Sequence, residues 1–98
     1  MNIQKTLSGA ALTVALEGLL DTTTAPKLEE ELRSSVDGIT RLVFDLAKLE
    51  YISSAGLRVL LAMQKLMNRQ GTRLLQNVNE AVMEVFEVTG FSDILRIE

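Results

Sequence analysis

Apolar positions along the chain switch between two periods. Residues 2–7 alternate weakly, with Ile3, Lys5 and Leu7 on one side, and residues 10–17 alternate clearly, with Leu12, Val14 and Leu16 on one face. Ser8-Gly9 between them is a turn signal, so the two runs predict a β-hairpin. Residues 18–24, including Thr22-Thr23-Thr24, read as a loop whose threonines suit helix capping. Pro26 then falls in the first turn of a helix over about residues 25–36, with Ala25, Leu28, Leu32 and Val36 as its buried stripe. Asp37-Gly38 ends it, and Arg41-Leu42-Val43-Phe44-Asp45-Leu46 has the continuous apolar character of a buried central strand. A second helix is expected over about residues 55–68, broken by Arg69-Gln70-Gly71 and followed by a strand at 72–75. Asn79 caps a third helix over 80–88 that turns Val82, Val85 and Phe86 inward, Gly90 stops it, and residues 94–97 form a last short strand.

The order β-β-α-β-α-β-α-β predicts one α/β domain over residues 1–98. Strands separated by single helices pair in parallel and the opening hairpin adds one antiparallel pair, giving a small, mixed, mostly parallel sheet with about three helices.

The second helix carries the most information. At about 100° per residue, Val59, Leu60, Ala62, Met63, Leu66 and Met67 span an arc wide enough to face a sheet. Arg58, Gln64, Lys65, Asn68 and Arg69 fall on the opposite side, and Leu57 and Leu61 fall among them. Extrapolated by one turn, Ser54 joins that side. Ser54, Leu57, Arg58, Leu61 and Lys65 are thus expected on one outward face: an apolar pair rimmed by basic side chains, with a hydroxyl at its tip. Leucines packed beneath a neighbouring element would give the same pattern. Ser54 stands at or near the N-cap, where its ordinary role is to accept from the free N–H groups at Gly56 or Leu57. The same position tolerates a phosphate, because the helix dipole and its free N–H groups favour an anion.

Composition narrows the chemistry. Of 98 residues, 47% are hydrophobic and 23% charged, so a packed core is expected. The chain has no cysteine and no histidine, which removes disulfides, thiolate nucleophiles, Ser–His catalysis and imidazole or thiolate metal sites. A net charge of −3 argues against nucleic acid as partner. No apolar run approaches the roughly 20 residues of a membrane-spanning helix, and the first residues lack an apolar signal core, so a cytoplasmic protein is expected. The run Glu29-Glu30-Glu31 is a solvated helix face rather than a metal site. Asp21, Asp45 and Ser54 would be the residues of an enzyme, but nothing activates the serine and no phosphate-binding glycine loop exists. No cofactor is expected.

The run Leu49-Glu50-Tyr51-Ile52-Ser53-Ser54-Ala55-Gly56-Leu57-Arg58-Val59-Leu60-Leu61, preceded by Asp45-Leu46, resembles the signature of the STAS domain. Leu16-Glu17-Gly18-Leu19-Leu20-Asp21, the segment from Gly71 to Leu75, and Val85-Phe86-Glu87-Val88-Thr89-Gly90-Phe91 resemble further parts of the same family in the same order. The resemblance implies an anti-sigma factor antagonist that works by partner switching. The unphosphorylated form binds an anti-sigma factor, itself a serine kinase, and frees the sigma factor; phosphorylation at the start of the signature helix dissolves the complex. A phosphatase of the protein phosphatase 2C type resets the cycle. The acceptor corresponds to Ser54, with Ser53 as the alternative, because Ser53 stands where several antagonists carry an acidic residue. Asp21 corresponds to the loop aspartate beside the modified serine. Asp21, Thr22, Ser53, Ser54, Leu57, Arg58, Leu61 and Lys65 are accordingly expected to meet the partner, the protein being a monomer or weak dimer without a membrane role. The competing reading is a constitutive, unmodified interaction subunit of a larger assembly such as a lipid or anion transport system. Many family members carry a further helix after the last strand, whereas this sequence stops at Glu98.

Overall fold

Alternation at residues 11–16 builds the first half of the molecule. In the computed structural model, which describes residues 1–98, strands β1 (Asn2–Ser8) and β2 (Ala11–Leu20) form the expected antiparallel hairpin. Leu12, Val14 and Leu16 are buried while Ala11, Thr13 and Ala15 on the other face are half-buried. Helix α1 (Ala25–Ser35) leads to β3 (Arg41–Ile52), α2 (Ser54–Met67) to β4 (Thr72–Gln76), and α3 (Glu80–Thr89) to a single 3-10 turn at Phe91–Asp93. The sheet runs β1-β2-β3-β4, so chain order and spatial order coincide; β2 pairs with β3 and β3 with β4 in parallel. Leu28 and Leu32 of α1, Leu60 and Met63 of α2, and Val82 and Phe86 of α3 join Val14 and Phe44 of the sheet in one core cluster.

Three boundaries differ from the sequence reading. Residues 18–20 are strand, not loop: β2 continues to Leu20, which pairs with Ile52. The central strand continues past Leu46 to Ile52, interrupted by two register shifts against β2, between Ala15 and Glu17 and between Gly18 and Leu19. Each shift lets β3 absorb one extra residue. The buried positions Leu46, Leu49 and Ile52 therefore recur every third residue, a spacing that matches neither strand nor helix period. The last strand shrinks to one parallel bridge between Leu75 and Ile97, held by Leu75 N–H to Arg96 O at 2.9 Å and Glu98 N–H to Leu75 O at 2.8 Å.

The cap of α3 is as expected: the Asn79 carboxamide oxygen accepts from Val82 N–H at 2.9 Å, and its Nδ2 donates to Leu49 O at 2.6 Å. One side chain thus fixes the helix start and ties it to β3. Asn79→Ala removes both bonds and is expected to cost about 1–2 kcal/mol, measured by urea unfolding; an unchanged midpoint would show that water replaces them.

Candidate functional site

The parallel strands β2 and β3 end side by side at Leu20 and Ile52, and Ser53 N–H closes the pair on Leu20 O at 2.9 Å. The Asp21 loop after β2 and the start of α2 after β3 are therefore brought to one end of the sheet. This end lies beyond the carboxyl ends of parallel strands, where α/β sheets commonly place their sites. A glycine sets how closely the helix approaches. A Cβ at Gly56 would stand 2.6 Å from Leu20 Cγ and 2.9 Å from Ile52 Cγ1, and both neighbours are buried. Gly56→Ala must push α2 off the strand ends. A loss of about 2 kcal/mol, a fall in Tm on the order of 10 °C, is expected in thermal unfolding.

Ser53, not Ser54, is the N-cap of α2; it has extended backbone (φ −97°, ψ 176°) and its carbonyl accepts from Leu57 N–H at 3.0 Å. No side chain caps this helix, so the expected hydroxyl bond to Gly56 or Leu57 is absent. The Ser53 hydroxyl is buried and has no hydrogen-bond partner, whereas Ser54, the first residue of the helix, is exposed. Access thus separates the two serines where the sequence could not.

Asp21 organises the neighbouring loop. Its Oδ1 accepts from Thr23 N–H at 2.9 Å, the Thr23 hydroxyl at 2.7 Å and Thr24 N–H at 3.2 Å, and its carbonyl accepts from Ala25 N–H at 2.8 Å. Thr24 Oγ1 donates to Leu19 O and accepts from Asp21 N–H, each at 2.9 Å. The aspartate, rather than the expected threonines, therefore satisfies the free N–H groups ahead of α1. The Thr23 hydroxyl and N–H stabilise the charged form and lower the Asp21 pKa below its ordinary 3.8; desolvation opposes them, and the weaker bonds from Thr24 add to the lowering. A carboxyl lowered by folding contributes stability above the ordinary value and loses it as pH falls through the lowered one. The Thr23 and Thr24 amide shifts are expected to titrate together below about pH 3.8 and to be pH-independent in Asp21→Asn.

Along α2, Ser54, Arg58 and Lys65 are exposed, as the wheel implies, whereas Leu61, expected on the same outward face, is half-buried. Leu57 is a correction. It is 3% exposed and belongs to the core cluster, so it is not part of the outward face. Gln64, also expected outside, is 7% exposed, and its Nε2 donates to Ile94 O at 2.8 Å. Leu57 and Gln64 lie two turns apart on one flank, and the C-terminal segment covers that flank at Gln64; a helical wheel contains no such neighbour. Ala62 and Leu66, expected inside, are only partly buried.

An exposed apolar pair that the sequence pattern does not single out lies beside these residues. Leu19 and Tyr51 are register partners on β2 and β3, immediately before the site, and are 49% and 50% exposed. The signal lay in the register shifts, which turn Tyr51 outward between the buried Leu49 and Ile52. The candidate catalytic pair is not assembled. Asp45 pairs with Ala15 and accepts from Ala47 N–H and Asn77 Nδ2, both at 3.1 Å, while Asp21 lies six residues further along the chain from Ala15, roughly 15–20 Å away. A groove of about 240 Å³ lies over Gln4, Ala15, Glu17, Asp45 and Lys48, and none of Asp21, Ser53 or Ser54 lines it. No group of three or more acidic residues converges to hold a metal ion, and no helix is long and apolar enough to cross a membrane.

A mixed four-stranded sheet in chain order, with an exposed serine opening the helix after β3, defines a small α/β module. The chain belongs to the STAS domain family, whose pattern matches residues 2–98. It is 43% identical over 88 residues to the putative anti-sigma factor antagonist BtrV of Bordetella bronchiseptica, covering 88% of this chain and 76% of that protein. In fold it is similar to an anti-sigma factor antagonist from Mycobacterium paratuberculosis (TM-score 0.88, 24% identity, 98% of this chain and 83% of that one). It is also similar to the Bacillus cell fate determinant SpoIIAA in its phosphorylated form (TM-score 0.75, 18% identity, 99% and 91%).

Proposed function

We propose that this protein is an anti-sigma factor antagonist that binds an anti-sigma factor serine kinase through the Asp21 loop and the outward face of α2, and is released when Ser54 is phosphorylated. The observation that carries the reading is the contrast between the serines: Ser54 is exposed at the first turn of α2, and the Ser53 hydroxyl is buried. The relationship to BtrV and the fold shared with SpoIIAA, known in a phosphorylated form, support it. Asp21, Thr22, Leu19, Tyr51, Ser54, Arg58, Leu61 and Lys65 form the contact surface, with Ser53 as a buried support. The protein acts as one unit in the cytoplasm, is not an enzyme, and is reset by a phosphatase of the protein phosphatase 2C type. Two features support a role without catalysis. Ser54 has no histidine to activate it, and the Asp21 carboxylate is committed to its own loop.

Peptide mass spectrometry after incubation with ATP and the host's candidate anti-sigma kinases tests the reading. One phosphate on Ser54, none on Ser53, and none in Ser54→Ala is the expected result, with Ser54→Ala retaining partner binding. Phosphate on Ser53 would overturn the assignment to Ser54 and move the switch to the alternative serine, whereas stable capture of an anti-sigma factor with no phosphate from any kinase would remove the switch and leave a constitutive interaction subunit.

A further inference from the structure

Helix α2 departs from the charge of the rest of the chain. The protein carries 13 acidic and 10 basic residues, yet the sequence of α2, from Ser54 to Met67, contains no acidic residue. Its exposed charges are Arg58 and Lys65, with Arg69 just beyond its end. None of the three is paired: the ion pairs of the molecule join Arg33 to Glu29 and Lys48 to Glu17. No side-chain hydrogen bond holds Arg58 either, so its guanidinium is free to choose a partner. Arg58 stands four residues after Ser54 on the same exposed arc, and i,i+4 side chains on a helix have Cβ atoms about 5–6 Å apart.

We propose that Arg58 is the intramolecular ligand of the phosphate carried on Ser54. The inference rests on Ser54 being the modified residue and adds how the modification is read. A phosphoserine brings about −1.5 to −2 charges and three acceptor oxygens, and a guanidinium presents two parallel donors to such a group. In the unmodified protein Arg58 points outward on the contact surface. After phosphorylation it turns one turn back along its own helix and closes on the phosphate. The switch therefore changes the surface twice in one step: a neutral hydroxyl becomes an anion, and the cation one turn along the helix is withdrawn from the partner. Lys65 lies about three turns from Ser54, too far to substitute. The carboxylates at this end, Asp21 on the loop after β2 and Glu50 on β3, oppose the dianion; Lys27 in the first turn of α1 and the amino group of Met1, beside Gly18, are the other cations at this end, and Arg58 is the one that shares the helix face of Ser54.

The test needs neither kinase nor partner. Phosphoserine is installed at position 54 by genetic encoding, and the second ionisation of the phosphate is followed by phosphorus NMR in the wild-type background and in Arg58→Gln, Arg58→Lys and Lys65→Gln. The helix dipole acts equally in all four, so differences report the side chains. The phosphate pKa is expected to rise by about half a unit in Arg58→Gln, the difference shrinking in 1 M salt. Arg58→Lys is expected to keep part of the shift and Lys65→Gln all of it. Equal pKa values in wild type and Arg58→Gln overturn the clamp. So does an equal rise in Lys65→Gln, which would indicate a diffuse field rather than a pair. Failure of every kinase to modify Ser54 would instead count against the switch itself and would leave the NMR result standing.

Discussion

Leu57→Asp is expected to unfold the protein. The side chain is 3% exposed among the core leucines, so the substitution removes a well-packed apolar group and places an unpaired carboxylate in its volume. The carboxylate either stays ionised without a partner or takes up a proton, and both options cost free energy. A loss above about 4 kcal/mol is expected, set against the roughly 5–10 kcal/mol that hold a chain of this length folded. Circular dichroism at 25 °C should show lost cooperativity or a Tm lowered by tens of degrees. Leu57→Ala, which creates only a cavity, should remain folded and lose about 2–4 kcal/mol. Leu61→Asp is the contrasting case. Leu61 is half-buried on the arc of Arg58 and Lys65, so the new charge meets water and two cations. Its Tm should change by only a few degrees while partner affinity falls. Equal melting of Leu57→Asp and Leu61→Asp would return Leu57 to the surface.

Ser54→Asp should weaken partner binding about a hundredfold, equal to about 2.8 kcal/mol, with the melting curve unchanged. The position is exposed at the first turn of a helix, where a carboxylate is favoured by the dipole, so the chain itself accepts the charge. The partner does not, because a surface matched to a hydroxyl must desolvate an anion to approach it. Isothermal titration with the anti-sigma factor separates the two effects. Binding as tight as that of the wild type, in a folded variant, would exclude a charge-based switch at this serine. Arg58 adds a check within the same experiment. An aspartate is shorter than a phosphoserine and carries one charge, so Arg58→Gln should alter the Ser54→Asp defect less than it alters that of the phosphorylated protein.

How much of this was legible in the sequence depended on the kind of signal. The hairpin was readable because Leu12, Val14 and Leu16 alternate against a Ser8-Gly9 turn, and α1 because Leu28, Leu32 and Val36 keep a helical period behind Pro26. The Asn79 cap and the stop at Gly90 were readable because each rests on one residue and its immediate neighbours. The second half of β3 was not, because its two register shifts convert a period of two into the sequence Leu46, Leu49, Ile52. At residues 94–97 the apolar pattern predicts a strand, but the segment makes a single bridge, Ile97 opposite Leu75 of β4.

The site divides in the same way. By itself the sequence determined the order of elements through the third helix, the excluded chemistries, the exposed stripe of Ser54, Arg58 and Lys65, and a signature around Ser53-Ser54-Ala55-Gly56, since these depend on local spacing and on which side chains are absent. Tertiary structure alone decided that Leu57 is core, that Gln64 binds the Ile94 carbonyl, that Asp21 rather than a threonine holds its loop, and that the Ser53 hydroxyl is buried while Ser54 is exposed. The physical reason is burial: which flank of a helix meets water depends on elements distant in sequence, here the C-terminal segment and the paired ends of β2 and β3.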